Sequence, residues 1–450
     1  MKKVILYMLF SVVFGLQDTL VVVNGKVITK NDFIRRSEYT IRPNYCKSNS
    51  NIDKKIILNS LIAEKLFSIE NSESQVVDEK ILNSINGIKE QTMRKLLLED
   101  YVNEKIMIDK NFIADLYNRS QFEYDVNFIN ISTNDISGVD LNNSFNEIAK
   151  KAKVDLNTHY ITFLNCSNEQ VFNYFYYDSN QINKGDLIGP IITSDDSAIL
   201  IEVLKKKKNI KLNMQSQSEQ YNKVRDYYIE LESNKIRERF ISEIMKGKKI
   251  EFEKNTFLEL ADYYYNHSDA VVDSNNILFT LNGEKWSIRD IMNISKSHPL
   301  VFRDSYDSKN EFYNQFKLAL VDLIRDSFLS DKASEYNYEN HPIVLKEVEV
   351  WMDYALAIDK RNQILHDNIE LKQYDNEYKF IENVLNKESE LLFEKYSDNI
   401  VIDVDMFNSI DLSRIDMMVI NLNQPYQLTV PLFPKLTIKN NLNYGVKKPT

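Results

Sequence analysis

Glycine and proline are scarce in this chain, nine and eight among 450 residues, well below the several per cent of each in an average protein. That excludes a collagen-like or linker-dominated chain and favours long helices. Two cysteines cannot build a disulfide framework or a four-thiolate zinc site. The five histidines, at 159, 267, 298, 341 and 366, include no pair at metal-ligand spacing, and each reads as a surface or structurally satisfied side chain. HExxH, CxxC, GxSxG and a glycine-rich phosphate loop are all missing. Metal, nucleotide and catalytic-triad chemistry therefore have no support, and no cofactor is expected. Basic charge is in deficit too: 56 Lys+Arg against 66 Asp+Glu leave −10. A nucleic-acid partner, which needs a basic face to release counterions, is not expected. Hydrophobic content of 43% with 27% charged residues excludes global disorder. At about 150 residues per domain, the length suits roughly three domains.

The chain start has the pattern of a secretory signal. Lys2 and Lys3 precede an apolar run over 4–15, and polar Gln17-Asp18 follow, which places cleavage near Gly15–Gln17. The run falls short of the about 20 apolar residues a bilayer span needs; a buried N-terminal strand is the alternative reading. No later stretch is long and apolar enough for an integral membrane segment. With no cysteine near residue 16, a lipid anchor is not expected. Cys46 and Cys166 could pair in an oxidising compartment or stay as two buried thiols.

After the signal, Leu20-Val21-Val22-Val23 reads as a strand, Asn24-Gly25 as a tight turn and Val27-Ile28 as the return. Thr29 stands at a helix N-cap with Asp32 three residues on. The same order recurs 258 residues later, with Ile277-Leu278-Phe279, Asn282-Gly283, Ser287 and Asp290. This points to a duplicated unit. Residues 54–118 carry helical apolar spacing, as in Ile57, Leu58, Leu61, Ile62 and Leu66. From 122 to 208 short strands alternate with helix: 126–131 alternates with period two, 144–153 is helical, and 198–204 is a second clear strand. Lys205 to Lys208 read as a solvated strand exit. Helices are expected over 215–248, 256–266, 309–335, 343–370 and 372–397, then a short strand at 400–402. Asp403 and Asp405 read as alternating, solvent-facing strand residues. The tail, with Pro425, Pro431 and Pro434, reads as extended and packed across the surface.

Within the middle segment, Lys184-Gly185-Asp186-Leu187-Ile188-Gly189-Pro190-Ile191-Ile192-Thr193, then Ala198-Ile199-Leu200-Ile201-Glu202-Val203, resembles the C-terminal third of a parvulin-type peptidyl-prolyl isomerase domain. The strand at 126–131 resembles that domain's first strand. The opener from Val21 to Ile34, with the helices behind it, resembles the N-terminal region of SurA/PrsA-type exported foldases. The resemblance implies a helix-rich α+β fold, a parvulin-like small antiparallel sheet with helices set between helical chaperone-like arms. It divides the chain into a signal peptide (1–16), an N-terminal helical chaperone region (17–121), a degenerate parvulin-like domain (122–208) and a long helical connector (209–275). A second helical module (276–400) opens with the repeated unit, and an extended C-terminal segment (401–450) follows.

Parvulin domains set histidines on the first and last strands around a prolyl ring. Here Phe128 and Ile199 occupy those positions, and His159 or Cys166 are the side chains that could substitute in space. Isomerisation must lower a barrier of about 18–20 kcal/mol by holding the ring in an apolar cup while polar groups favour the twisted amide. Phe128, Phe163, Phe172 and Phe175 could supply the cup and contact peptide, or simply pack the core; the polar part is missing. The resemblance thus implies a periplasmic, ATP-independent chaperone. Its partners would be unfolded or extended outer-membrane or secreted polypeptides, bound in part by exposed aromatics such as the Tyr174–Tyr177 and Tyr263–Tyr265 clusters. An active isomerase and a non-chaperone structural subunit of an envelope complex are the alternatives.

Overall fold

The structure, a computed structural model, describes residues 18–74, 77–138, 140, 143–178, 180–194, 196–208, 214–266, 272–367, 377–413 and 417–448. The signal-peptide segment and His267 lie outside them. Eleven strands are present among the described residues: β1 (Thr19–Val23), β2 (Lys26–Thr29), β3 (Phe122–Ser132), β4 (Asn157–Ile161), β5 (Leu187–Ser194), β6 (Ser197–Lys208), β7 (Ile250–Phe252), β8 (Ile277–Leu281), β9 (Glu284–Ser287), β10 (Ile400–Ile402) and β11 (Val446–Lys447). They form three small sheets in a helix-rich α+β protein. No described helix is long and apolar enough to cross a membrane. The chain folds as two compact units, one of Asp100–Phe240 and the other of the chain up to Glu99 and from Ile241 onward.

The larger unit contains the repeat. Asn24 and Gly25 have φ of 48° and 87°, and Asn282 and Gly283 have 52° and 88°; a type I′ turn requires positive φ at both central residues, which Asn-Gly tolerates. Thr29 and Ser287 each close a capping box, with Asp32 and Asp290 reaching back to the cap. Strand registers match pair for pair at the 258-residue offset: Val22↔Val27 against Thr280↔Lys285, Val23↔Lys26 against Leu281↔Glu284.

Each hairpin also gains a third strand that its local sequence does not announce. β10 pairs with β1 through Val21↔Ile402 and Val23↔Ile400. β7 pairs with β8 through Phe279↔Phe252 and Leu281↔Ile250, so these third strands correspond at an offset of 150. The offset extends to neighbouring contacts: Asp403 N–H donates to the Leu20 carbonyl (3.0 Å) and Glu253 N–H to the Leu278 carbonyl (2.9 Å). The second module thus receives its third strand from the chain just before it, and the first from near the far end of the sequence. Asp403 is not a strand residue, as the alternation had suggested. It caps the Val404–Asn408 helix, its Oδ1 accepting from Met406 N–H at 2.9 Å.

The Asn51–Ser74 helix lies deep in this unit. Ile57, Leu58, Ile62, Ala63 and Leu66 are fully buried, each large one contributing about 1.5–3 kcal/mol of apolar burial. The same helix carries buried charges. Lys65 Nζ lies 2.6 Å from Asp353 Oδ2, Ser68 Oγ donates to Oδ1 at 2.7 Å, and Lys26 bonds the same carboxylate. Burial alone would raise the Asp353 pKa, but Lys65 and Lys26 hold it below the usual carboxylate range. Arg36 and Glu64 form a buried two-bond pair at 2.8 and 2.7 Å. Between the Glu79–Lys105 and Lys309–Glu335 helices, Arg94 Nη1 donates to His298 Nε2 (2.9 Å) and to Ser330 Oγ (2.8 Å). His298 Nε2 is also 3.2 Å from Glu90 Oε2. Burial, then Arg94, pull the His298 pKa below its ordinary value, so the ring is neutral and its Nε2 accepts from Arg94.

The smaller unit is built on the sheet β4-β3-β6-β5, antiparallel throughout. β3 is apolar on two faces. Tyr124 and Val126 join Ile161, Ile201 and Val203 under the Lys110–Ser120 helix, residues 169–177, and Val224 and Tyr228 of the Met214–Met245 helix. Ile129 and Ile131 pack with Ala198 and Leu200 against the Phe145–Ala152 helix. Gly189, at φ 106°, lets β5 approach β6 so closely that an added Cβ would sit 2.6 Å from the Ile199 carbonyl oxygen. No disulfide joins Cys46 and Cys166.

Asp353→Ala is expected to cost about 3–5 kcal/mol in denaturant unfolding, because it leaves the buried Lys65 without its 2.6 Å partner and with only the more exposed Glu349, 3.5 Å away; the Lys65→Met/Asp353→Leu pair should recover most of it. Because the folded His298 pKa lies below its unfolded value near 6.5, its contribution to stability is intact above that pH and falls as acidification goes below it. Melting temperature should therefore drop between about pH 7 and pH 5 by more in the native chain than in His298→Gln.

Candidate functional site

On the first face of the smaller unit's sheet, the helical cover ends before the sheet does. Phe128 and Ile199 lie at that uncovered end, both half-buried. Between them and the loop that leads into residues 169–177 is a cavity of about 170 Å3, lined by Val126, Phe128, His159, Ile161, Asn165, Cys166, Ser167, Asn168, Val171, Ile199 and Ile201. A cavity of about 150 Å3 holds one benzene, so this one is sized for a single five- or six-membered ring. The floor comes from strand alternation: 126 and 128 of β3, 159 and 161 of β4, and 199 and 201 of β6 all face one way. The roof comes from the loop.

Most of the polar groups on that roof are already committed; the exposed Ser167 hydroxyl and the Asn168 Nδ2 make no hydrogen bond among the described residues. Asn165 Oδ1 accepts from Thr162 N–H at 2.6 Å while its Nδ2 donates to the Tyr160 carbonyl at 2.8 Å. Asn168 Oδ1 caps the following helix by accepting from Val171 N–H at 3.0 Å. Cys166 Sγ lies 3.8 Å from the Asn168 carbonyl, and burial pushes its thiol up to about 11, so it is neutral. His159 stands exposed at the mouth, edge-on to the Phe128 ring with centroids 6.4 Å apart. Its imidazole makes no hydrogen bond among the described residues. The arrangement can hold an apolar ring, with an untethered imidazole and an unbonded serine hydroxyl at the rim and no buried charge.

Of the residues singled out in the sequence, the structure brings Phe128, His159, Cys166 and Ile199 to one cavity. Phe163, Phe172 and Phe175 are elsewhere: they are 7%, 3% and 1% exposed and belong to the aromatic core under the helical cover of that same face. Phe163 meets Phe172 at 5.1 Å, and Phe175 meets Tyr124 at 4.9 Å. Their role is packing, and they offer no surface to a peptide. The tyrosine clusters are packed as well, with Tyr176 fully buried and only Tyr265 of Tyr263–Tyr265 reaching 36% exposure. Val126, Ile161, Val171 and Ile201 were missed as lining residues. The strand alternation around Phe128 and Ile199 carried the signal for Val126 and Ile201. Nothing local marked the loop roof.

With Cys46 replaced by alanine, Cys166 should react with a disulfide reagent at neutral pH about two orders of magnitude slower than an unperturbed thiol. The rate should still be climbing as pH approaches about 11. Fast reaction at neutral pH would place a thiolate beside His159. No protein-family model, curated protein or solved structure matches this chain, so its function is read from the cavity itself.

Proposed function

We propose that this chain is an exported, periplasmic folding factor of the SurA/PrsA type. It holds extended segments of outer-membrane or secreted polypeptides without ATP, and its parvulin-like unit binds but does not catalyse. The observation that carries the reading is the ring-sized apolar cavity formed where Phe128 and Ile199 stand diagonally on adjacent strands of one face of the sheet. An apolar recess of this size takes a prolyl or aromatic ring from an extended chain. Catalysis of prolyl isomerisation needs polar groups placed to stabilise the twisted amide, and here the Asn165 amide is tied to backbone at both ends, Asn168 Oδ1 caps a helix and the thiol is neutral. A second reading, a working isomerase, is favoured by one feature, the untethered His159 imidazole at the mouth. A third, an adaptor subunit, would show one tight partner and no general affinity for unfolded chains.

Ile199→Asp sets a carboxylate on the cavity wall, where burial without a partner is costly. It should weaken binding of a fluorescent, extended proline- and phenylalanine-containing peptide by at least ~tenfold, read by anisotropy, with the melting transition of the variant kept cooperative. The native chain should suppress aggregation of a diluted, urea-unfolded outer-membrane β-barrel protein, and Ile199→Asp less so. Unchanged peptide binding in Ile199→Asp would detach binding from the cavity, and no suppression by the native chain would favour the adaptor reading.

A further inference from the structure

The larger unit holds part of its own chain in the manner of a bound peptide. Residues 417–434 contain no charged side chain, although 27% of the whole chain is charged. Pro431 and Pro434 remove two donors and fix φ, so this stretch cannot pair along its length as a strand, and its carbonyls are left for side chains. Six side chains supply the donors. Gln91 Nε2 bonds the Tyr426 carbonyl (2.8 Å), Arg35 Nη2 that of Thr429 (3.1 Å) and Arg36 Nη2 that of Leu432 (3.0 Å). Ser389 Oγ bonds the Leu436 carbonyl and Ser60 Oγ that of Thr437, both at 3.2 Å. Asn59 Nδ2 takes two, Lys439 at 2.7 Å and Asn441 at 2.9 Å.

Each of these bonds reads a backbone carbonyl, which any residue offers. Composition is selected mainly by apolar contacts: Val430, Phe433 and Leu436 are 4%, 4% and 0% exposed, three residues apart; two side chains are read as well, Thr437 Oγ1 donating to Asn386 Oδ1 at 2.8 Å and Tyr426 O–H to the Ser297 carbonyl at 2.6 Å. The charges that do occur point away, with Lys435 on Glu377 and Lys439 on Glu390, all four side chains partly exposed. Arg36 is held in place by its buried pair with Glu64, so that donor is fixed before the chain arrives.

We propose that the Lys30–Glu38, Asn51–Ser74 and Asn386–Lys395 helices form a second polypeptide-binding groove, occupied in cis by residues 426–441. Displaced, it takes an extended, uncharged, proline-containing segment of another polypeptide with large apolar side chains at i, i+3 and i+6. This groove stands apart from the cavity of the smaller unit and does not rest on it. A tethered occupant competes at an effective concentration of order millimolar, so the intact chain binds such segments weakly and release of the tether exposes the site.

The test is to insert a specific protease site after Asn423, in the exposed turn beside Leu422, which is 73% exposed. The folded full-length chain is cut there and challenged with a labelled peptide of residues 424–450. The labelled peptide should exchange into the cut chain at least ~100-fold more tightly than into the uncut chain. An unrelated sequence retaining the two prolines and three anchors should compete, one with the anchors changed to serine should not, and Asn59→Ala should weaken binding about tenfold. No exchange, or competition by the native sequence alone, would overturn the proposal. Should cutting unfold the chain, hydrogen exchange on the intact protein decides. Amides of 427–441 that open at lower free energy than those of β1 support a dissociable occupant, and equal protection contradicts it.

Discussion

The site depends on the antiparallel pairing of β3 with β6, which runs from Phe122↔Lys208 to Ser132↔Ser197 with one irregularity after Asp125. A one-residue slip along this ladder would turn every side chain to the opposite face. Helices cover both faces, so slippage would carry Asp125 and Asn127 under them in place of Tyr124 and Val126. The ladder sets Phe128 opposite Ile201 and Asn130 opposite Ile199. The recess between those side chains exists because the helices over that face end near Val171. A residual recess of this kind is apolar by construction, since the residues lining its floor are the continuation of a core stripe.

The larger unit meets a different constraint. Its first module is completed by β10, nearly 380 residues downstream of β1 (Val23↔Ile400), and the smaller unit's sequence lies within that interval. Closing so long a loop costs entropy that grows only slowly with length, and buried Ile400, Ile402 and Phe407 offset it. β11 adds a parallel pair at the outer edge, where Gly445 approaches the Ile400 carbonyl too closely for a Cβ. The second module, with β7 just before β8, carries no such long closure. The two modules share a local plan and differ in when their third strand becomes available during synthesis.

How much could be read in advance follows from the range of the interactions. The two Asn-Gly turns and their capped helices are local devices, and four residues carry each one. Period-two alternation put Phe128 on one face of its strand, while Gly189-Pro190, by composition a turn signal, lies inside β5, where Gly189 is required by contact with Ile199. The third strands were illegible as pairings because three residues such as Ile250, Glu251 and Phe252 carry no information about a partner. Asp403 was misread because a capping aspartate and a strand aspartate look alike when the helix that follows has five residues. Phe163, Phe172 and Phe175 show the same limit: an aromatic cluster does not reveal which of its sides will be covered. The tail reads as extended in both descriptions, but its burial comes from side chains nearly 400 residues away, at Asn59 and Arg36.

The central claim is that the smaller unit grips a ring without turning the amide before it. The most direct measurement is magnetisation-exchange NMR on an unstructured peptide containing one Phe-Pro bond, with line broadening and cis/trans exchange followed in the same titration. The account predicts that the proline and phenylalanine resonances broaden as the protein is added while the exchange rate stays at its uncatalysed value. Acceleration of exchange that disappears in His159→Ala, or a peptide that shows no binding at all, would contradict it.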